Sequence, residues 1–227
     1  MAENPKLLML RLEGVLQSWG ESSKWDYRDS ALMPTKSGIV GLIACAMGLE
    51  RGNPEIDAIF DAITLAVRAD RPGVRMTDYH TAAGDPLMNA EGKPRSNGFT
   101  VVSRRQYLQD ASFLAVIQSA PVRLESIGRA LQNPKWCLFL GRKSCVPSRP
   151  VFDGIHEEYA GLRDAVQRYP TAKGACFPLQ YEWEAEAGEV GSYTRTDALF
   201  SGAQRQFVRR QVWRGIVKGA ENVPDKN

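Results

Sequence analysis

The sequence predicts an α+β fold: a βαββαβ domain over residues 1–150 with a long projecting β-hairpin, followed by a C-terminal extension over 151–227. Three observations carry this. Short apolar runs of strand length alternate with helical patterns in the order strand, helix, strand, strand, helix, strand. Residues 72–108, between the second and third strands, hold a Gly-, Pro- and Asn-rich centre flanked by β-prone arms. Beyond Pro150 the periodicity weakens.

The first strand is Leu7–Leu12 (LLMLRL), closed by Gly14. Met33-Pro34-Thr35-Lys36-Ser37-Gly38 opens a helix, with Thr35 or Ser37 available as N-cap. The following IVGLIACAMGL is apolar on nearly every side, as suits a helix buried between layers. A second helix covers Glu55–Ile63, with Ile56, Ile59, Phe60 and Ile63 at helical spacing. Strands follow at 64–70 (TLAVRAD) and 112–118 (SFLAVIQ). The insertion between them has arms VRMTDYHT and FTVVSRRQYL and a polar tip spanning Asp85–Gly98, the pattern of a hairpin that leaves the body. Pro121 starts an amphipathic helix carrying Leu124, Ile127 and Leu131, and Trp136–Leu140 (WCLFL) reads as the last strand. This order is the ferredoxin-like plan. In the extension, a helix is expected near 157–168 and strands at 177–184 and 211–218.

The apolar fraction of 43% and charged fraction of 24% are ordinary for a globular protein. No run reaches the roughly 20 apolar residues of a membrane-spanning helix. The N-terminal apolar stretch is cut short by Arg11 and Glu13, which argues against a secretory signal and for a cytoplasmic chain. Cys45, Cys137, Cys145 and Cys176 lie far apart, with two histidines in the chain, so neither a zinc site nor another cofactor is expected. Net charge is only +3, but it is unevenly spread. Residues 101–150 hold eight Lys/Arg against two Asp/Glu, 151–190 three against eight, and 191–227 seven against three. Basic stretches on either side of an acidic one suggest a polyanion-binding face and a second face turned elsewhere; chance clustering is the alternative.

Four segments carry candidate chemistry. LEGVLQSWG (12–20) brings Gln17 and Trp19 ahead of PTKSGIVGL (34–42), where Ser37 and Gly38 expose helix-start amides beside Lys36, a combination that suits a phosphate. DYHT (78–81) places Tyr79 and His80 on the ascending hairpin arm, and SRRQYLQDASF (103–113) places Arg104, Arg105 and Tyr107 on the descending one. Guanidinium groups neutralise phosphates and aromatic rings stack on unpaired bases. FLGRKSCVPSRP (139–150) offers Arg142, Lys143, Ser144 and Arg149 in a loop that can grip a bent single strand.

Together LQSWG, PTKSGIVGLIACAMG, DYHT, RRQYLQDASF and LGRKSC resemble the CasD family of type I-E CRISPR Cascade, within the RAMP superfamily. The matching segments run from about residue 7 to 150, and RQF with VWRG (205–215) resembles the family's C-terminal motif. The resemblance implies an RRM-type ferredoxin-like domain whose hairpin is a thumb over guide RNA. It implies a non-catalytic subunit that binds the 5′ handle of the CRISPR RNA. The implied neighbours are the CasC backbone subunit and the large CasA subunit, with target DNA met only indirectly through guide pairing.

Ordinary structural roles stand beside these. Trp19 follows a strand and could pack on the core, and Arg142 with Lys143 could be a plain surface pair. Strand alternation sends Arg104 and Arg105 to opposite faces, so one of them is expected to touch RNA directly. Cys145 is expected to fill a small buried space. Arg205, Phe207 and Arg209 are open to RNA, a subunit interface or plain surface. The rival function is a metal-independent endoribonuclease acting on precursor RNA, since relatives in another Cascade subtype resemble this fold and cut RNA. His80 and Tyr79, with a lysine, would have to supply its acid, base and cation. A nucleotide-binding enzyme is excluded by the lack of glycine-rich phosphate motifs.

Overall fold

The computed structural model describes residues 4–21, 26–89, 92–94, 100–185, 189–199 and 206–219. A seven-stranded sheet forms its backbone. The strands are β1 (Leu7–Glu13), β4 (Thr64–Arg71), β7 (Ser112–Gln118), β8 (Phe152–His156), β9 (Leu179–Glu184), β10 (Tyr193–Leu199) and β11 (Gln206–Val217). Their order is β8-β1-β7-β4-β9-β11-β10, with every neighbouring pair antiparallel. β1 is buried almost end to end because it lies inside the sheet with helices on both faces.

Side chains of β1 alternate between two cores, as the period of two requires. Leu8, Leu10 and Leu12 pack with helices α1 (Lys36–Met47), α2 (Pro54–Ala62) and α3 (Pro121–Gln132). Leu7 and Met9 pack on the other face with α4 (Leu162–Arg168). Thr35 caps α1 by accepting from the Gly38 amide, and Gly48 ends the helix in the left-handed region. Asn53 and Pro54 start α2, and Pro121 starts α3. No helix among the described residues is long and apolar enough to cross a membrane.

Trp136–Leu140, expected as the fourth strand, is not one; β8 takes the place beside β1. The segment instead straps α1: the Lys135 amide donates to the Ala46 carbonyl and the Cys45 thiol to the Cys137 carbonyl. Its apolar sequence is satisfied by packing rather than by a ladder, a tertiary override of β-propensity. The helix expected at 157–168 begins only at Leu162, and the last strand reaches back to Gln206. Strand β10 was not anticipated from sequence.

Between the two cores Arg11, Arg68 and Asp70 are fully buried. Asp70 pairs with both arginines and accepts from the Ala172 amide. Arg68 donates to the Val166 and Tyr169 carbonyls, and Arg11 to that of Pro170. This cluster ties residues 166–172 to the sheet. Burial lowers the Arg68 pKa while Asp70 opposes the shift.

Candidate nucleic-acid interface

A second sheet projects from the body. β5 (Val74–Ala83) and β6 (Thr100–Gln109) pair antiparallel along their full length, as expected for the hairpin arms. The expected tip lies partly outside the described residues. Two short strands, β2 (Leu16–Gln17) and β3 (Tyr27–Arg28), line the opposite edge of β6.

Register decides what this sheet presents. Tyr79 lies opposite Arg104, and Arg104 opposite Tyr27 on β3. Paired residues share a face, so a guanidinium stands in one row between two tyrosines. All three are exposed, Tyr79 at 67% and Tyr27 at 42%. The Tyr27 hydroxyl accepts from Gln106 Nε2 at 2.6 Å, which fixes the ring. Arg105 turns to the other face, half-buried, and donates to Ser103 Oγ at 3.0 Å. His80 shares that second face, with Nδ1 3.3 Å from Asp78 Oδ2. Tyr79 and His80 therefore do not meet in one site.

The loop after Leu140 docks at the base of this sheet. Ser18 donates its amide to the Leu140 carbonyl, and Gly141 lies so near that a Cβ there would overlap the Ser18 oxygen. Its φ of 90° adds a second reason for glycine. Arg142 spreads its guanidinium over the Tyr107 ring at 4.7 Å and donates to the carbonyls of Gln106, Arg28 and Asp29. It braces the loop against β6 and β3, so its donors face backbone rather than a ligand. Lys143 and Ser144 are exposed beside it. Tyr107 is 6% exposed and belongs to the core. Arg149 is exposed and lies 3.6 Å from Asp153.

Several expected contacts give way. Gln17 is fully buried, donating to the Leu12 and Ala111 carbonyls while accepting from Trp19 Nε1. Trp19, 1% exposed, packs on α1 so closely that a Cβ at Gly38 would meet its ring at 2.8 Å. The expected phosphate cradle at α1 is filled by the chain's own carboxylates. Asp197 Oδ1 accepts from the Ser37 amide at 2.9 Å, Thr35 takes the Gly38 amide, and Lys36 is buried between Glu184 and the Phe60 ring. Glu184 and Asp197 also hold Arg210. Arg205 lies outside the described residues, whereas Phe207 and Arg209 are exposed on β11. Sequence reading missed Tyr27 and Arg28, because only the pairing of β3 with β6 brings them beside Arg104 and Arg105.

The four cysteines are unpaired, with Cys45 and Cys145 buried. Burial raises both thiol pKa values, as suits packing rather than chemistry.

Comparison with known proteins bears on this geometry. A model of the family described as CRISPR-associated protein (Cas_Cas5) matches residues 7–213. "CRISPR system Cascade subunit CasD" of Escherichia coli (strain K12) is 27% identical over 95% of this chain and 97% of its own length. A chain of a solved "CRISPR RNA-guided surveillance complex" superposes with a TM-score of 0.78 at 29% identity, covering 96% of this chain and 92% of the other. A "Crystal structure of Cas protein" superposes at 0.71 with 34% identity, covering 97% and 98%. With nearly the whole sequence matched and the α+β architecture shared, the chain belongs to the CRISPR-associated Cas5 family.

Proposed function

We propose that this chain is a non-catalytic subunit of a Cascade-type surveillance complex and grips the 5′ handle of its guide RNA. The observation that carries this is the exposed row Tyr79–Arg104–Tyr27, held open by a rigid three-strand register. An unpaired base can lie on each ring while Arg104 meets the phosphate between them. Lys143 and Ser144, exposed in the loop that Arg142 braces against β3 and β6, offer a separate polar contact beside the sheet, and Arg28, opposite Arg105, belongs to its other face.

Residues 1–150 carry this interface in our reading; β8 completes the central layer beside β1, and the rest of 151–227 extends the same sheet through β9, β11 and β10. The order β8-β1-β7-β4, with α1 and α3 on one face, supports a ferredoxin-like reading of the central layer. The partners we assign are the guide RNA, the CasC backbone subunit and the CasA subunit, with target DNA reached through guide pairing. A nuclease site would need Tyr79 and His80 together, and their opposite orientation supports a role without catalysis.

The test is binding of labelled repeat RNA to the purified chain and to Tyr79→Ala/Arg104→Ala, without added metal. Affinity should fall at least tenfold in the double variant, since each stacked base contributes about 1–3 kcal/mol. The RNA should stay intact. Cleavage at one position, abolished by His80→Ala, would overturn the non-catalytic reading, and equal affinity in the double variant would overturn the interface.

A further inference from the structure

Strands β9, β11 and β10 are two-faced. On the face toward α1 lie Glu182, Glu184 and Asp197, together with Arg195, Arg210 and Arg214, and these neutralise one another. Arg214 pairs with Glu182, Arg195 with Glu182 and Glu21, and Arg210 with Glu184 and Asp197. The acidic side chains of these described strands are thereby consumed inward. The opposite face carries Trp183 on β9 and Phe207, Arg209, Gln211 and Trp213 along β11, with Thr194 and Thr196 opposite on β10. Its strand charge is a cation, Arg209, which is exposed.

The pattern along β11 is ring, guanidinium, amide, ring, at successive spacings of about 6.6 Å. Trp213 stacks on Trp183 with centroids 6.4 Å apart, and Arg163 of α4 lies over Trp183 at 5.2 Å. Phe207 is 55% exposed. α4 reaches over the sheet as far as Trp183, and an open groove of about 1550 Å³ runs from Trp183, Gln211 and Trp213 round the sheet to Lys36, Asp61 and Glu184 on the α1 side, with Phe207 and Arg209 outside its lining. The groove's carboxylates are Asp61, Asp164, Glu184 and Glu189; Arg168 holds Asp164, and Lys36 with Arg210 holds Glu184. Stacking planes interleaved with cations, on a face from which the strand carboxylates are turned away, complement a charged chain of flat rings.

We infer that this outer face of β9–β11 is a second binding surface for single-stranded nucleic acid, separate from the hairpin row. Phe207 and Trp213 supply stacking planes, and Arg209 and Arg163 supply the phosphate contacts. Sequence preference is low, because rings and guanidinium groups accept any base.

The test uses the full chain carrying Tyr27→Ala/Tyr79→Ala/Arg104→Ala, which removes every member of the hairpin row, with a fluorescein-labelled oligouridylate at low salt. Anisotropy should report residual binding that falls about tenfold or more when Phe207→Ala/Arg209→Ala is added. The slope of log affinity against log salt should shrink by about 0.7 for the lost phosphate contact, and Arg209→Lys should restore it. Should the double variant melt early, Thr194→Glu, at an exposed position, puts a repelling charge on the same face and should weaken binding in the same direction. No residual binding, or unchanged affinity and slope, overturns the inference. Unchanged oligouridylate binding with loss of copurifying protein subunits also overturns it and assigns the face to a protein partner.

Discussion

At the scale of single residues, position in a register outweighs chemical type. Tyr27, Arg104 and Tyr79 stand in one exposed row, whereas Tyr107, three residues beyond Arg104, is in the core. Arginines divide in the same way: Arg104 faces out, Arg142 spends its donors on carbonyls, and Arg68 is buried with Asp70. Tyr27→Ala should weaken handle RNA binding roughly as much as Tyr79→Ala, by about 1–3 kcal/mol, and Tyr27→Phe should retain most of it because the ring remains. Fluorescence anisotropy of the isolated chain decides this, and full affinity in Tyr27→Ala would remove that ring from the interface. Nothing local marks Tyr27 in the sequence. Gln17, Trp19 and Lys36 misled for a related reason: the Ala111 carbonyl that holds Gln17, the α1 surface that buries Trp19 and the Glu184 carboxylate that holds Lys36 come from distant segments.

Among the elements, the hairpin was legible and the loop after residue 140 only half so. Alternating β-prone arms around a polar centre are a local signal, and β5 and β6 appear where the arms were placed. The loop's cations were visible, but their division of labour was not. Arg142 braces three carbonyls while Lys143 is exposed, so the two substitutions should fail differently. Lys143→Ala should reduce the salt slope of RNA binding by about 0.7, as loss of one phosphate contact does. Arg142→Ala should lower affinity with the slope unchanged and should also cost stability. Binding measured across a salt series, with melting of each variant, separates the two; a lower slope in Arg142→Ala would make it a direct contact.

For the whole molecule, the central layer could be read from apolar runs because β1, β4 and β7 are buried on both faces. Its edges could not. WCLFL is as apolar as a strand yet straps α1, and the polar-looking FDGIH forms β8, since pairing with β1 is a long-range event. The C-terminal strands are held to the first helix by charge. Asp197, 1% exposed, caps the Ser37 amide and pairs with Arg210 at 2.7 Å. Asp197→Ala should destabilise by about 3 kcal/mol, the low end for a broken buried pair because Arg210 keeps Glu184. That corresponds to roughly 10 °C in Tm for a chain of this size. A thermal melt within 2 °C of the parent, on the order of 1 kcal/mol or less, would show that the network contributes little.

The strand order also sets a timetable for synthesis. β1 pairs with β8 in a register that joins Leu7 to His156, and β4 with β9 in one that joins Ala66 to Trp183. Growing from its N-terminus, the chain emits β1 long before the strand that closes its flank. At typical elongation rates that interval is on the order of ten to thirty seconds. Throughout it, β1 and β4 carry unsatisfied ladder edges made of Leu, Val and Ala. Half-made chains on neighbouring ribosomes could zip together through those edges, so yield in a heterologous host should rise when a chaperone covers the nascent segment and fall when elongation is slowed.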